Sequence, residues 1–588
     1  MDKEFKDVLK DAKKDNVESK MIVAEKYENE GKFKEAFEWY NKAANDGDVY
    51  AKIKVGDYHF NGTSVKQDFS KAFELYNQAG ESNNKKALCK LAYFYRNGVV
   101  VEKDLKKAFD LYMSAIDLAE AKYQLAVMYR NGVYVEKDDK KSFKLLEEAS
   151  NRNHLDSKVN LGYYYCNGIG VELDEEKGVA LYKEAANMGD KTALFNLGMC
   201  YKNGYGLDKD VELAIECFEN AGKAGHGRAL YELGLIYENE EMFKKNIGFA
   251  IDCYQRAIDN GYLNASINLS RIYFVRDDKK KAMHWLERGF DSKEVQFTLG
   301  KYYFDGEFLE KNYPKALKCF SDAAKNDHAL AQYYMGLAYF HGYGVNVNEE
   351  RAIECLKIAS DNKCLDAMLL LASIYEQRGS GETNDLLEMA ANLNCDKAMY
   401  KLGYNYAHGN FCDIDLNKSV FWYQKAADLN NSQAQCNLGL AYLKGLGVAQ
   451  NKEFGVYWLE RAASNNSSIA LLNLGCCYED GVGVVSDQST ALKYYLKAAH
   501  LNNVDAQLAV AKLYKSIDST QSIYWYNKAM EKKFDEACLG LVEVYLNDGK
   551  LEIDRVRIML DNIANKSSEK YKRIMENFKV YQESMTEI

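Results

Sequence analysis

Paired glycines are the most regular candidates for chemistry in this 588-residue sequence. A glycine-rich loop can cradle a phosphate when it follows a β-strand and opens a helix. Here every pair follows a helical pattern, so the glycines are interpreted as turn residues rather than as a nucleotide site. The pairs are Gly168-Ile-Gly170, Gly204-Tyr-Gly206, Gly342-Tyr-Gly344, Gly445-Leu-Gly447 and Gly481-Val-Gly483.

The eight histidines and fourteen cysteines are the other candidates for a reactive site. No His-Glu-x-x-His occurs, and no Cys-x-x-Cys pair accompanies the scattered histidines, so no zinc site is expected. The neighbours Cys476 and Cys477 are predicted to face opposite sides of one helix, with Cys477 in the core. No Ser/His/Asp set can be assembled from the sequence order. We therefore predict no catalytic residue, no metal and no cofactor.

Composition excludes several classes of protein. An apolar content of 47% with 28% charged residues is typical of a folded chain, neither disordered nor membrane-embedded. A formal charge of −10 argues against nucleic acid as a partner. The longest apolar run, near Ala367, is far below the roughly 18 residues that cross a bilayer, so membrane insertion is not expected. A charged N-terminal segment and many unclustered cysteines predict a cytoplasmic protein.

The elements that position all these residues repeat along the chain. Leu197-Gly198-x-x-Tyr201 returns 36 residues later as Leu233-Gly234-x-x-Tyr237. Between the clear copies lie weaker ones with Ala or Ser in place of the central glycine, and the total is about fifteen repeats. Further copies begin at Leu161, Leu299, Met335, Leu402, Leu438 and Leu474.

Each repeat is predicted to be two helices joined by a glycine turn. Ala193, Leu197 and Tyr201 fall on one stripe of a helical period, which must pack inward. Gly198 lies in the middle of that helix, where we expect the close approach of a neighbouring helix axis. Gly204 suits a left-handed C-cap, and Asp210 suits the N-cap of the second helix. Neither helix alone can bury its apolar face, so the repeats must stack on one another.

The repeated phrase Ala-x-x-x-Leu-Gly-x-x-Tyr-x-x-Gly-x-Gly-Val-x-x-Asp resembles the Sel-1-like repeat, a relative of the tetratricopeptide repeat. The resemblance covers nearly the whole chain and implies an all-α, right-handed α/α solenoid. Residues 19–550 are expected to form the repeat array. Residues 1–18 and 551–588 lack the phrase and are expected to be capping helices at the two ends.

One branch of the resembling family is secreted, rich in cysteine and described as binding or hydrolysing β-lactams. That branch pairs cysteines across each repeat, with one cysteine at the second Ala of Ala-Ala. This sequence departs from it, because the corresponding residues are never cysteine. They are Ala44, Gly80, Ala186, Ala324, Ala427 and Ala499.

The resemblance also implies where a partner would bind. In tetratricopeptide-like solenoids the first helices line a concave face, and positions −6, −3, +1 and +4 from the central glycine project toward the ligand. In this sequence those positions are rich in aromatic residues, which favour peptide binding. The alternative is that these rings pack between adjacent first helices. Position −3 holds Tyr123, Phe195, Tyr231, Phe297, Tyr333 and Tyr400, and positions +1 and +4 hold Phe60, Tyr93, Tyr163, Phe274, Phe304, Phe340 and Tyr404.

Position +4 also holds Arg96 and Arg130 in consecutive units, within Tyr-Arg-Asn-Gly. We hypothesise that the two arginines bind a carboxylate of a partner; the alternative is that both are solvated. The sequence as a whole predicts a non-catalytic scaffold or adaptor for protein or peptide partners. A regulatory subunit of an enzyme is the first alternative, and a small-molecule binder or hydrolase of the β-lactam type is the second.

Overall fold

The computed structural model describes residues 3–239, 244–548 and 553–586, and these residues form 34 α-helices and no strand. The chain divides into two compact units, Met1–Val295 (unit 1) and Gln296–Ile588 (unit 2). In unit 1 the helices are α1 (Lys3–Ala12), α2 (Val17–Asn29), α3 (Phe33–Asn45), α4 (Val49–Asn61), α5 (Phe69–Gly80), α6 (Lys85–Asn97), α7 (Leu105–Ser114), α8 (Ala119–Asn131), α9 (Asp139–Ser150), α10 (Leu155–Asn167), α11 (Glu175–Asn187), α12 (Lys191–Asn203), α13 (Val211–Lys223), α14 (Gly227–Glu238), α15 (Ile247–Asp259), α16 (Ala265–Val275) and α17 (Lys279–Arg288).

Helix α18 (Lys293–Asp305) contains the division between the units. The helices of unit 2 that follow are α19 (Tyr313–Ala324), α20 (Ala329–His341), α21 (Glu349–Asp361), α22 (Leu365–Gln377), α23 (Glu382–Asn392), α24 (Asp396–His408), α25 (Leu416–Asp428), α26 (Ser432–Lys444), α27 (Lys452–Ser464), α28 (Ser468–Asp480), α29 (Gln488–His500), α30 (Val504–Tyr514), α31 (Ser519–Ala529), α32 (Phe534–Asp548), α33 (Ile553–Asp561) and α34 (Glu569–Thr586).

Helices α2 to α31 form consecutive pairs, a first helix with an even number and a second helix with an odd number. In the pairs other than α18/α19 the two helices pack together, and each of these pairs also packs on a neighbouring pair within its unit. Each unit is therefore an all-α solenoid, as predicted. Helix α1 lies in the predicted N-terminal cap, and α33 and α34 lie in the predicted C-terminal caps. The predicted boundary at residues 550 and 551 falls outside the described residues, and the capping role stays a prediction.

The turn between the two helices is built by the residues that the sequence analysis selected. Gly204 ends α12 with a left-handed backbone, φ +79°, and its N–H bonds to the carbonyl of Cys200. Asp210 precedes α13 and accepts a hydrogen bond from the N–H of Leu213. Both caps occupy backbone groups that a helix end leaves unpaired, so they fix where each helix stops and starts.

The central glycine makes room for the second helix of its own repeat. A Cβ added at Gly198 would lie 2.6 Å from Cε1 of Phe218, which belongs to the second helix of the same repeat. Gly234 relates to Tyr254 in the same way, at 2.5 Å. In these two repeats the glycine lets a large buried ring fill the interior of the pair. At Gly439 an added Cβ would lie 2.9 Å from the backbone carbonyl oxygen of Gly455 on the second helix, so there the two helices approach closely, as expected.

Several of these buried rings are tyrosines whose hydroxyl groups reach the edge of the core. Tyr254 donates to the carboxylate of Glu238 over 2.7 Å, and Tyr495 donates to that of Glu479 over 2.6 Å. In both repeats the acceptor lies four residues after the central glycine of the first helix. Burial and the neighbouring carboxylate raise the pKa of both phenols, which therefore stay neutral donors.

Candidate functional site

We name two surfaces for the helices that form them. The A-face is the surface of the first helices, α2, α4 and so on to α30, and the B-face is the surface of the second helices, α3, α5 and so on to α31. Adjacent first helices contact each other, as α20 and α22 do. The candidate residues taken from the family resemblance all lie on first helices, so their orientation on the A-face decides what a partner can reach.

The aromatic residues at position −3 lie between adjacent first helices. Phe195 is buried and stacks on His226, the residue before α14, with 4.7 Å between ring centroids. Phe297 stacks in the same way on His328, the residue before α20, at 4.5 Å. The packing alternative therefore holds for these two rings. Their main effect is to join one repeat to the next.

The histidines under these rings also cap helices. Nδ1 of His226 accepts a hydrogen bond of 3.1 Å from the N–H of Ala229, and His328 accepts one of 3.1 Å from Ala331. Burial lowers the pKa of His226, which keeps the ring neutral and its acceptor available. Each of these histidines therefore both stacks on an aromatic ring of the preceding repeat and caps the first helix that follows it.

The other candidates at position −3 are partly buried. Tyr231 lies between Tyr254 and Tyr262, with its hydroxyl 3.5 Å from the Asn268 side chain. Tyr333 and Tyr400, together with Phe340 at position +4, pack against one core cluster of unit 2. Burial raises the pKa of Tyr231, Tyr333 and Tyr400. Only part of each ring remains open to a partner.

Position +1 exposes aromatic rings on the A-face in three repeats. Tyr93 is 42% exposed, Tyr163 45% and Tyr404 42%. The Tyr404 ring stacks on His408, with 4.1 Å between centroids. These three tyrosines present a flat ring and a hydroxyl group at the surface, so a partner can contact them without any rearrangement of the core.

The two candidate arginines contact their own chain. Arg96 donates to the side chain of Gln124 on the next first helix. Arg130 lies 3.4 Å from a carboxylate oxygen of Asp139 and 5.1 Å from the centroid of the Tyr164 ring. Both guanidinium groups therefore have intramolecular partners, and the binding of a partner's carboxylate stays a prediction.

Unit 1 also has a cavity on the A-face, which the sequence analysis missed. It has a volume of about 310 Å³ and is lined by Tyr50, Lys54, Asp57 and Lys90, among other residues. Lys90 pairs with Asp57 at 3.0 Å, and Lys54 pairs with Glu28 at 2.8 Å. The charges at this cavity are thus largely neutralised within the protein, and Tyr50 supplies its exposed ring.

The described residues include free cysteine thiols. All fourteen cysteines lie among them and none is in a disulfide. Burial raises the pKa of Cys89 to about 12 and that of Cys436 to about 11, so these thiols stay protonated near neutral pH. Cys476 is exposed and Cys477 buried, as predicted. The same residues contain no group of three or more His, Cys, Asp or Glu side chains that could hold a metal ion.

Across the residues that the structure describes, none of the helices combines the length and the apolar character of a membrane span.

Comparison with known proteins identifies the repeats. The model of the Sel1 repeat matches fourteen segments: 32–48, 49–84, 85–118, 119–154, 155–190, 191–226, 227–262, 269–292, 293–328, 329–364, 396–431, 432–467, 468–503 and 505–533. The helix pair α22/α23 lies between two matched segments. No curated protein matches the chain in sequence.

Several solved structures are similar at low identity. The structure of c5321, a protective antigen of uropathogenic Escherichia coli with an SLR fold, is 22% identical, with a TM-score of 0.37, and the match covers 90% of this chain and 98% of that one. A Sel1 repeat protein from Oxalobacter formigenes is 21% identical, with a TM-score of 0.33 over 57% and 89% of the two chains. Yeast Tom70 is 14% identical, with a TM-score of 0.27 over 92% and 96%.

These TM-scores are too low to support a functional argument, so the assignment rests on the repeat segments. Those segments cover well over half of the 588 residues and coincide with the helix pairs of both units. The chain belongs to the Sel1 repeat family.

Proposed function

We propose that this protein is a non-catalytic scaffold that binds segments of partner proteins along its A-face. The observation that carries the proposal is the exposure of tyrosines at position +1 within each unit: Tyr93 and Tyr163 in unit 1, and Tyr404 in unit 2. Tyrosine combines a large rigid ring with a hydrogen-bonding hydroxyl group, so it anchors a partner at a low cost in side-chain entropy. Fourteen thiols without a disulfide support a reducing compartment, the cytoplasm.

The polar groups of the A-face support neutral recognition rather than ionic recognition. Lys90, Arg96 and Arg130 already contact Asp57, Gln124 and Asp139 of the same chain. A partner that bound these cations would have to displace those contacts. Hydrogen bonds from tyrosine hydroxyl groups and burial of the rings need no such exchange.

The test compares two double variants of the full chain. Tyr93→Ala with Tyr163→Ala removes two exposed rings from the A-face of unit 1. The control, Tyr134→Ala with Tyr205→Ala, removes two equally exposed tyrosines from the turns of the same unit. Equal helical content by circular dichroism must be established first for both variants.

Affinity purification of each variant, followed by mass spectrometry, then gives the result. We expect a protein that the native chain and the control retain and that the A-face variant loses, with at least a tenfold weaker affinity when binding is measured by calorimetry. Identical sets of partners for all three proteins would contradict the proposal.

A further inference from the structure

Four consecutive second helices of unit 2, α25, α27, α29 and α31, carry a cation at the same position of the repeat. Each cation lies over the aromatic ring three residues earlier. The distances from cation to ring centroid are 5.3 Å for Lys425 over Trp422, 5.1 Å for Arg461 over Trp458, 5.9 Å for Lys497 over Tyr494 and 5.4 Å for Lys528 over Trp525. This B-face therefore has a row of cations at one-repeat spacing.

No carboxylate of the described residues forms an ion pair with these four cations. Lys425, Lys497 and Lys528 are exposed, and Arg461 donates to the side-chain oxygen of Asn430, at 3.0 Å. A cation over a ring keeps its outward N–H groups for other acceptors. In a protein of net charge −10, such a row of cations is a local site of opposite sign.

Exposed rings lie beside the cations. Phe421, Tyr457 and Tyr524 each precede a tryptophan of the row by one residue, and each is about half exposed. Phe454 stacks parallel to Tyr457, with 5.5 Å between centroids. This surface therefore combines exposed apolar rings with positive charge. Such a combination is more typical of a binding surface than of a helix face that contacts only water.

A cavity of about 620 Å³ opens in the middle of this surface, between α27 and α29. Ala463 and the buried Leu471 give it an apolar lining, and Tyr494, Lys497 and His500 line it from the α29 side. Its volume lies in the range of binding pockets for small groups, which is about 300–1,000 Å³.

The sequence of one repeat explains why the cavity is open. Trp458 and Trp525 hold the equivalent position in the neighbouring repeats and are only 3% and 2% exposed, so they fill the space beside them. The smaller ring of Tyr494 stands there in α29 and leaves a gap. An equivalent cavity in unit 1 is lined by Leu181, Lys158 and Glu184, and an ion pair of 2.7 Å between the last two crosses it. In unit 2 the residue at the place of Lys158 is Leu471, and no ion pair between described residues closes the opening.

We propose that the B-face formed by α25, α27, α29 and α31 is a docking site for an acidic segment of a partner protein. One apolar side chain of that segment enters the cavity beside Tyr494, and its carboxylates contact the four cations of the row. Glu460 lines the cavity, so isolated carboxylates fit the surface better than the dense negative charge of phosphates. This site is separate from the A-face, and either proposal can fail without the other.

The probe is an array of twelve-residue peptides, each with a central Leu, Phe or Trp flanked by Glu and Asp. A second array carries Lys in place of every acidic residue. Binding of fluorescein-labelled peptides to the full chain is measured by fluorescence anisotropy. We expect acidic peptides with a central apolar residue to bind at least tenfold more tightly than their Lys counterparts, with an affinity that falls as salt is raised.

Two variants and two matched controls test the site itself. Tyr494→Trp fills the cavity and is expected to weaken peptide binding at least tenfold, whereas Leu181→Trp fills the equivalent cavity of unit 1 and should change the affinity less than twofold. Lys497→Glu is expected to weaken binding at least tenfold, against less than twofold for Lys144→Glu, an exposed lysine of α9. Circular dichroism checks that all four variants fold.

Three results would overturn the proposal. One is an array in which no acidic peptide binds better than its Lys counterpart. Another is equal loss of affinity in the Leu181→Trp and Tyr494→Trp variants. The third is binding of phosphatidylserine vesicles or single-stranded DNA at the four cations without binding of any peptide. The double variant Tyr93→Ala with Tyr163→Ala should bind the acidic peptides normally, which separates this site from the proposed scaffold function.

Discussion

Cations on the A-face and cations on the B-face are held in different ways. Lys202 on α12 lies 2.7 Å from Glu232 on α14, and the two side chains are only 14% and 10% exposed. Lys497 on α29 is exposed and lies over the ring of Tyr494. The first cation joins one repeat to the next, whereas the second leaves its charge to solvent or to a partner. Charge is thus structural at this contact of the A-face in unit 1 and available at this position of the B-face in unit 2.

Removing the structural cation is expected to have the largest effect on stability. Lys202→Ala leaves the largely buried carboxylate of Glu232 without its partner, so we expect the free energy of unfolding to fall by about 3 kcal/mol. Urea unfolding measures the change, and hydrogen exchange should accelerate in α12 and α14 because neighbouring repeats stabilise each other. Lys497→Ala is the control, with an expected change within about 0.5 kcal/mol. Equal losses in the two variants would remove the distinction between the faces.

Two histidines extend the same comparison to pH. His226 caps α14 through Nδ1 and has a pKa lowered by burial, whereas His500 lies exposed at the end of α29. Because the folded pKa of His226 lies below the unfolded value of about 6.5, protonation favours the unfolded chain. The stabilisation of the folded chain by the neutral His226 cap is complete above a pH of about 6.5 and is lost as the pH falls from there toward the folded pKa. We expect this loss to be about 1 kcal/mol, the typical contribution of an N-cap.

The measurement is urea unfolding at a series of pH values from neutral to mildly acidic. His226→Asn keeps an acceptor for the N–H of Ala229 but no longer titrates, so we expect its stability to depend less on pH than that of the native chain. His500→Asn should leave the dependence unchanged. A native pH dependence that survives in the His226→Asn variant would assign it to other groups.

The sequence predicted those features that depend on residues close to one another along the chain. The helix pairs, the cap at Gly204 and the cap at Asp210 follow from a few neighbouring residues, and the structure confirms them. The orientation of Phe195 depends on His226, the residue before the next first helix, and the contact of Arg96 depends on Gln124 on the next first helix. A pattern within one repeat does not contain that information, which is why position −3 could be assigned to either of two environments.

The B-face was missed although one sign of it is visible in the sequence. All five tryptophans are followed three residues later by Lys or Arg, as in Trp39 and Lys42 or Trp285 and Arg288. That spacing places a cation on the ring in a helix. The cavity has no such sign, because it arises from a Tyr in place of Trp at residue 494 together with an apolar Leu471 on another helix.

The smallest expected effect is the loss of a single cation from the B-face. Lys528→Gln removes the charge over Trp525 while keeping a side chain of similar length, and an exposed cation–π contact is worth only about 0.5–1 kcal/mol. We therefore expect a loss of no more than about 0.5 kcal/mol in urea unfolding, because glutamine retains part of the packing on the ring. A loss as large as that of Lys202→Ala would mean that the cations of the B-face hold the repeats together as those of the A-face do. If Lys528→Gln instead leaves the free energy of unfolding nearly unchanged, the cations of this row contribute little to stability. Their position beside exposed rings would then favour a role in binding a partner.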